Sequence, residues 1–181
     1  MRDLFVVVFL HVETWRVFIT PATHNPDESW VRTQTQTFLD RAKAEGLSVT
    51  KLTRDRDTKF TAAMNQDLKK AGIEVVRTSF RAPNMNAYVE RFIQTIQQEC
   101  LDHFVILGQR HFDHLVSEWL QHYHEERPHQ SLGNEPLKKL KRRGRPKTHP
   151  GSISEQIVPL SEVRCEKRLG GLLKHYYRTA A

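Results

Sequence analysis

The chain has 181 residues, enough for one domain with a sizeable core and additional tails. Hydrophobic residues make up 38% of it, and no apolar run reaches the roughly 18 residues that a membrane-spanning helix needs. The two cysteines, Cys100 and Cys165, form neither a disulfide framework nor a zinc pattern. We therefore expect a soluble cytoplasmic protein without a membrane partner.

The net charge of +7 is concentrated in one segment, residues 138–147, which holds seven basic residues and no acidic one. Without this segment the chain balances, with 21 basic residues against 21 acidic residues. A dense basic tract on a neutral body predicts contact with a polyanion through that segment. The alternative is a solvated linker, and both interpretations stay open at this point.

The first elements in chain order are two predicted strands. Residues 4–10 form a continuous apolar run, residues 16–20 are rich in β-branched and aromatic side chains, and a short turn separates them. The pattern predicts an antiparallel hairpin. Asn25 then predicts a helix start as N-cap, with Pro26 in the first position and Glu28 three residues after the cap. That helix should run to about residue 44 and stop at Gly46.

Strands and helices alternate in the next part of the chain. A third strand leads from Val49 into Asp55, residues 61–71 read as a short helix that Gly72 ends, and residues 73–77 read as a fourth strand. Such alternation is typical of βαβ units, so we expect a parallel sheet in this half.

A strongly amphipathic helix follows, with Asn86 as a plausible N-cap. Its Glu90, Gln94 and Gln97 recur along one polar stripe, beside the apolar stripe of Val89, Phe92, Ile93, Ile96 and Cys100. A further core helix is indicated by Phe112, Leu115, Val116, Trp119, Leu120 and Tyr123. Histidines are frequent in residues 103–129, but their irregular spacing and the lack of a paired cysteine disfavour a zinc site.

Two acidic residues are candidate metal ligands. Asp55 lies at a predicted strand end and Glu90 lies 35 positions later on the amphipathic helix. Carboxylates placed in this way can converge on Mg²⁺, which prefers oxygen ligands and leaves positions open for phosphate. Acidic turns and exposed glutamates are common, however, so two acids by themselves are a weak signal.

Three sequence blocks strengthen this interpretation because they occur together and in one order. They are Asp-Arg-Asp-Thr-Lys-Phe at 55–60, Pro-Asn-Met-Asn-Ala-Tyr-Val-Glu-Arg-Phe at 83–92, and Tyr-His-Glu-Glu-Arg-Pro-His-Gln-Ser-Leu-Gly at 123–133. Over roughly residues 4–137, the chain resembles the integrase core of retroviral-type integrases and bacterial insertion-sequence transposases, the D,D,E polynucleotidyl transferases. The resemblance implies an α/β fold of the RNase H-like integrase core type, a mixed sheet flanked by helices.

The resemblance also implies roles for individual residues. Asp55 becomes the second metal-binding acid and Glu90 the third, with Mg²⁺ or Mn²⁺ as cofactor and two ions in an intact family member. Asn86 would position the loop, and Lys59 and Arg91 would contact DNA phosphates, although such cations are equally often surface ion-pair partners.

The implied partners are DNA, as transposon ends and target, and further transposase subunits in an oligomer. The basic tract adds DNA-binding candidates, and its Arg-Gly-Arg-Pro at 143–146 is similar to the AT-hook core that lies in the minor groove of A·T tracts. The DNA-binding candidates of the tract are Lys141, Arg142, Arg143, Arg145 and Lys147.

The first acid of a D,D,E site has no clear match in this sequence. The family carries it on the first strand of the sheet, and residues 4–10 match the second strand, so Met1 falls just after the expected position. Asp3, His11 and Glu13 are possible substitutes, but Asp3 falls in a turn, and the other two lie at the far end of the hairpin. We expect an N-terminally truncated core that lacks both the first acid and the first strand.

The predicted organisation is an integrase catalytic core at 1–137, a basic AT-hook-like linker at 138–150 and a tail at 151–181 that docks on the body or on a second copy. The leading hypothesis is a transposase core fragment that acts in DNA recombination and integration by metal-dependent phosphodiester hydrolysis and strand transfer. The alternative is a non-catalytic DNA-binding remnant, and whether this chain is itself an enzyme stays open. A simple RNase H-like nuclease is disfavoured by the transposase-like block at 127–133.

Overall fold

The computed structural model describes residues 3–55, 57–78, 87–137 and 159–178. The chain folds into two compact units, unit 1 from Met1 to His114 and unit 2 from Leu115 to Ala181. The architecture is mixed α/β. Its strands and α-helices are β1 (Val8–His11), β2 (Arg16–Ile19), α1 (Glu28–Ala44), β3 (Lys51–Arg54), α2 (Ala62–Lys70), β4 (Glu74–Arg77), α3 (Ala87–Glu99), α4 (Gln109–Glu125), β5 (Val163–Arg168) and β6 (Leu173–Arg178).

Both predicted strand pairings of unit 1 are present. β1 pairs with β2 in an antiparallel hairpin, in which Phe9 lies opposite Phe18. β3 pairs with β4 in parallel, with Leu52 opposite Val75, as the βαβ pattern predicts. Within the described residues these are separate two-stranded sheets. In the part of the chain that the structure describes, the mixed sheet expected from the sequence is therefore divided into strand pairs.

The caps of α1 and α2 follow the local sequence signals, with one correction. Asp27, not Asn25, is the N-cap of α1, and its carboxylate accepts the N–H of Trp30 at 2.7 Å. Asn25 and Asp27 have similar cap preferences, but α1 begins at Glu28, so Asp27 is the residue directly before the helix and its side chain reaches the third helical N–H. The predicted stop at Gly46 (φ +69°) is correct, and α2 begins after the N-cap Thr61.

Helix α1 covers both strand pairs of unit 1 with one apolar face. One buried cluster joins it to α2 and the start of β4, and the second joins it to β1, where Phe9 and Phe38 stack at 4.3 Å. The first cluster consists of Val31, Met64, Leu68 and Ile73, and the second of Phe9, Phe38 and Ala42. Leu39, Val49 and Leu52 pack against both clusters, so one continuous apolar layer lies under two sheets.

The start of α4 is fixed to the segment after β2 by two hydrogen bonds within unit 1. The Ala22 N–H donates to the Asp113 carboxylate at 2.8 Å, and the Ala22 carbonyl accepts from the Gln109 side chain at 2.7 Å. Of the predicted core positions of α4, Leu115, Val116, Trp119 and Tyr123 are buried, whereas Phe112 and Leu120 are half-buried. Every helix in the described ranges is too short or too polar to cross a membrane.

Unit 2 contains an antiparallel hairpin of β5 and β6 that the sequence did not reveal. Arg168 at the end of β5 holds this hairpin on α4. Its guanidinium lies 2.6 Å from a carboxylate oxygen of Glu126, 3.1 Å from Glu118 and 3.2 Å from the amide oxygen of Gln121. The predicted domain boundaries at 137 and 150 border or fall among residues outside the described ranges, so that division stays a prediction.

Glu126 is the centre of this contact. Its second oxygen accepts a hydrogen bond from His122 Nδ1 at 2.9 Å, and its side chain is 6% exposed. Burial acts to raise the pKa of Glu126, but the hydrogen bonds from Arg168 and His122 outweigh it and lower that pKa below its usual value. The same hydrogen bond with Glu126 raises the pKa of Arg168. The pair is therefore charged at neutral pH.

We predict that Glu126→Gln lowers the free energy of unfolding by about 3 kcal/mol at pH 7, because it leaves the largely covered Arg168 side chain without its main counter-charge. The pKa of Glu126 is lower in the folded chain than in the unfolded chain. The stabilisation is therefore complete above the unfolded value, about 4.3, and is lost as the pH falls through the folded value.

Urea unfolding followed by near-UV circular dichroism between pH 7 and pH 3 measures this effect. The difference between wild type and Glu126→Gln should shrink as the pH falls below about 4. The exposed Glu13→Gln variant is the control and should follow the wild type throughout. A constant difference between wild type and Glu126→Gln at all pH values would contradict the proposed role of the Glu126 charge.

Candidate active site

Asp55 is the first residue after β3, and its side chain is exposed. One carboxylate oxygen accepts the N–H of Asp57 at 3.0 Å, a local turn that holds the carboxylate at the strand end. Within the described residues Asp55 forms no ion pair. An exposed carboxylate at the end of a parallel strand is a suitable hard-cation ligand.

The neighbouring Arg54 is buried and supports the backbone at Asp55. Its Nη1 donates to the Asp55 carbonyl at 2.9 Å, its Nε donates to Asn65 at 3.2 Å, and its guanidinium lies 5.5 Å from the Phe60 ring centroid. Burial lowers the pKa of Arg54, and the charge of Arg77 adds to that effect. Arg54 is not among the residues predicted from the sequence, although period-2 alternation places it on the same strand face as the half-buried Leu52.

Lys59 has local partners in the structure. Its N–H donates to the Asp57 carboxylate at 2.9 Å, its Nζ lies 3.3 Å from the other Asp57 oxygen, and the same Nζ lies 5.2 Å from the Phe5 ring centroid. The backbone hydrogen bond from Lys59 is the main cause of the lowered pKa of Asp57. This arrangement corresponds to the ion-pair alternative, and the predicted phosphate contact of Lys59 stays a prediction.

Glu90 lies in the first turn of α3 and is exposed, as are Gln94 and Gln97 along the predicted polar stripe. On the other side of the helix Phe92 and Ile96 are buried, whereas Ile93 is 38% exposed and so differs from the predicted apolar stripe. Arg91 beside Glu90 is exposed and its side chain is available to a ligand.

The first turn of α3 lies beside the turn of the β1–β2 hairpin. Tyr88 contacts Trp15 edge to face, with ring centroids 5.6 Å apart. Trp15 occupies the left-handed region (φ +58°), an uncommon conformation for a large residue, which directs the hairpin turn. Aromatic packing therefore positions the helix turn that carries Glu90.

Among the described residues, no third acid joins Asp55 and Glu90 in a metal-binding group. Within the described ranges no group of three or more histidine, cysteine, aspartate or glutamate side chains could hold a metal ion. Of the possible substitutes for the first acid, His11 uses both ring nitrogens, with Nδ1 2.8 Å from the Thr14 hydroxyl and Nε2 donating to the Ser48 carbonyl at 3.2 Å. A shared cation at Asp55 and Glu90 stays a prediction.

Several predicted site residues lie outside the described residues. They are Asn86 with the preceding loop, and the DNA-binding candidates Lys141, Arg142, Arg143, Arg145 and Lys147.

Comparison with known proteins identifies the segment that carries Glu90. Residues 71–136 match the family described as the integrase core domain. Over 65 residues the chain is 34% identical to an uncharacterised 39.2 kDa protein of insertion element IS476 from Xanthomonas euvesicatoria. Over 79 residues it is 32% identical to an uncharacterised 31.7 kDa protein of insertion element IS407 from Burkholderia multivorans.

The two alignments cover 36% and 43% of this chain, but only 19% and 28% of those relatives. Residues 71–136 are thus an integrase core segment that includes β4, α3, α4, Glu90 and the block at 123–133. The integrase core sequence predicted from the motifs is confirmed over residues 71–136, and both similar proteins belong to bacterial insertion elements. Asp55 and Lys59 precede the matched segment.

If Asp55 and Glu90 share a cation, Asp55→Asn and Glu90→Gln should each weaken Mn²⁺ binding by about tenfold or more, because each change removes one charged oxygen ligand. Asp57→Asn is the matched control, since the Asp57 carboxylate is engaged by Lys59. It should alter Mn²⁺ binding by less than about twofold.

Electron paramagnetic resonance of free Mn²⁺ during titration measures all three variants. If wild type, Asp55→Asn and Glu90→Gln bind Mn²⁺ with equal affinity, neither acid is a metal ligand. An equal loss in all three variants would indicate a diffuse acidic surface instead.

Proposed function

We propose that this chain is the catalytic-core part of an insertion-sequence transposase. It would act in DNA recombination and integration through metal-dependent hydrolysis at transposon ends and transfer of the freed 3′-hydroxyl to target DNA. The observation that carries this proposal is the integrase core match over residues 71–136, because that segment includes Glu90 at the start of α3.

The carboxylates of Asp55 and Glu90 suit a hard divalent cation. Both are exposed oxygen ligands, and neither forms an ion pair within the described residues. Asp55 follows a strand end that the buried Arg54 supports, and Glu90 lies in a helix turn that contacts Trp15 through Tyr88. Asp55 and Glu90 would hold Mg²⁺ or Mn²⁺. When bound, a metal pair would activate the attacking oxygen and stabilise the leaving oxygen of the phosphodiester.

Cations beside the two acids would contact DNA phosphates. Arg91 follows Glu90 and is exposed. Lys59 pairs with Asp57, but both side chains are 39% exposed, and pairs of that kind are worth only about 0–1 kcal/mol. A phosphate can therefore replace Asp57 as the partner of Lys59 at small cost. Asn86 would position the loop before α3.

The partners of this function are transposon-end and target DNA, with further transposase subunits in an oligomer. The basic tract at 138–147, including Lys141, Arg142, Arg143, Arg145 and Lys147, would neutralise phosphates along the duplex. Its Arg-Gly-Arg-Pro would enter the minor groove of A·T tracts.

The second candidate function is a non-catalytic DNA-binding remnant. The uneven charge favours it, since the seven basic residues of 138–147 account for the whole net charge of +7. Such a remnant would bind DNA through the tract and would not need Asp55 or Glu90.

Purified by itself, the chain should show little or no Mg²⁺- or Mn²⁺-dependent DNA strand cleavage. A two-metal site needs a bridging carboxylate that we do not predict among these residues. A nicking assay on supercoiled plasmid measures this. Strong nicking that is lost in Asp3→Ala would identify Asp3 as the first acid and contradict the expected truncation.

Neutralising the seven basic residues of 138–147 should remove most of the DNA affinity. If about five phosphates are contacted, the logarithm of the affinity should fall with the logarithm of salt concentration at a slope of about −4 to −5, and neutralisation should flatten this slope. Asp55→Ala and Glu90→Ala should leave both quantities nearly unchanged. Fluorescence anisotropy with a labelled duplex provides the measurement.

The same assay tests the minor-groove contact. Arg143→Ala and Arg145→Ala should weaken binding to A·T tracts more than binding to G·C duplexes. Equal losses on both duplexes would mean that the tract binds DNA without sequence preference. Unchanged binding after full neutralisation would place the DNA-binding surface outside the tract.

A further inference from the structure

The β5–β6 hairpin presents two different faces. Directly opposite residues of an antiparallel pair share a face, so Arg168 and Leu173 belong to one face and Lys167 and Lys174 to the other. Arg168 reaches Glu118 of α4 and Glu126 just after that helix, and Leu173 is buried, so the first face is the docked one. The second face is opposite to it and is exposed to solvent along most of its length.

The exposed face is basic and contains an aromatic ring. Three rows cross it: Lys167 opposite Lys174, Cys165 opposite Tyr176, and Val163 opposite Arg178. Successive rows lie about 7 Å apart, since each is two residues further along the strands. No position on this face is acidic, and Tyr176 is 62% exposed.

The charges on this face are only partly balanced. Arg178 pairs with Glu162 at 2.5 Å. Lys167 and Lys174 form no ion pair within the described residues, although like charges directly opposite each other destabilise an antiparallel pair. The pairing of Lys167 with Lys174 therefore does not stabilise the hairpin. A polyanion that lies across the row would remove the repulsion.

We propose that this exposed face of the hairpin, referred to below as the β5–β6 surface, binds a single strand of DNA. Lys167 and Lys174 contact phosphates, and Tyr176 stacks on a base in the next row. Basic side chains that follow the backbone and aromatic side chains that stack on bases are the two components of single-strand recognition. The aromatic ring between cations favours a nucleic acid over an anionic membrane, which offers phosphates without bases.

The inference rests on the DNA-directed function proposed above, but it needs neither metal nor catalysis. It adds a second DNA contact to the basic tract, on a folded element that Arg168 fixes to α4. Two contacts in one chain raise the effective concentration of the DNA at the second contact once the first has formed.

The test compares the full-length chain with paired variants on a labelled single strand of about 30 nucleotides, by fluorescence anisotropy at several salt concentrations. Lys167→Ala with Lys174→Ala should lower affinity about tenfold and reduce the salt slope by about 1.4, since two phosphate contacts are lost. Lys167→Arg with Lys174→Arg should retain binding. Lys69→Ala with Lys70→Ala, an equal charge loss on exposed positions of α2, should stay within about twofold of wild type.

Tyr176→Ala should lower single-strand affinity about fivefold or more, whereas Tyr176→Phe, which keeps the ring, should match wild type. Near-UV circular dichroism verifies that each variant keeps its packing. Unchanged single-strand affinity in both alanine variants would overturn the inference. So would equal losses in the two lysine pairs, or weakened binding to phosphatidylserine vesicles with unchanged DNA binding.

The variants also separate this inference from the proposed function. Suppose that neutralising 138–147 abolishes DNA binding while the hairpin variants bind like wild type. The proposed DNA-binding role of the β5–β6 surface is then wrong, and the assignment of DNA binding to the tract stands. If the hairpin variants lose single-strand binding while Asp55→Asn and Glu90→Gln bind Mn²⁺ like wild type, the surface is supported and the catalytic assignment fails.

Discussion

Leu39, Val49 and Leu52 contact both hydrophobic clusters of unit 1, and the rest of that unit depends on this shared packing. No strand hydrogen bond joins the β1–β2 hairpin to the β3–β4 pair within the described residues. A two-stranded sheet is only marginally stable by itself, so each pair needs an apolar face to pack against. Helix α1 provides that face for both, and the end of β3 that carries Asp55 is placed by the same layer.

Each of the two exposed acids of the candidate site is positioned by a contact of a neighbouring residue. Arg54 is buried beneath Asp55 and bonds to its carbonyl, while the Tyr88–Trp15 contact holds the helix turn that presents Glu90. Burying a guanidinium has a desolvation cost, which its hydrogen bonds and the Phe60 ring partly offset. A fixed backbone beside an exposed carboxylate is a useful property for a metal ligand, because the ligand geometry is set before the ion binds.

The block at 123–133 contributed to the resemblance to integrase cores. Its contacts among the described residues stabilise the fold. Glu126 binds Arg168 and His122, and the His129 ring donates to the Tyr123 carbonyl at 3.0 Å. The His129 bond fixes the segment after α4 to the end of that helix, and the Glu126–Arg168 pair holds the β5–β6 hairpin on it. The segment that matches the integrase core therefore includes residues that organise unit 2, where the further DNA contact is proposed.

Local signals in the sequence determined the elements of this protein. Caps, glycine stops and apolar periodicity located α1 to α4 and β1 to β4 within a few residues, because those signals act between residues close in the chain. The motifs also located Asp55 and Glu90. Only the tertiary structure decided the burial of Arg54 and the pairing of Arg168 with Glu126, 42 positions away. It also decided which face of β5–β6 stays exposed. These features depend on partners distant in sequence, which no local pattern specifies.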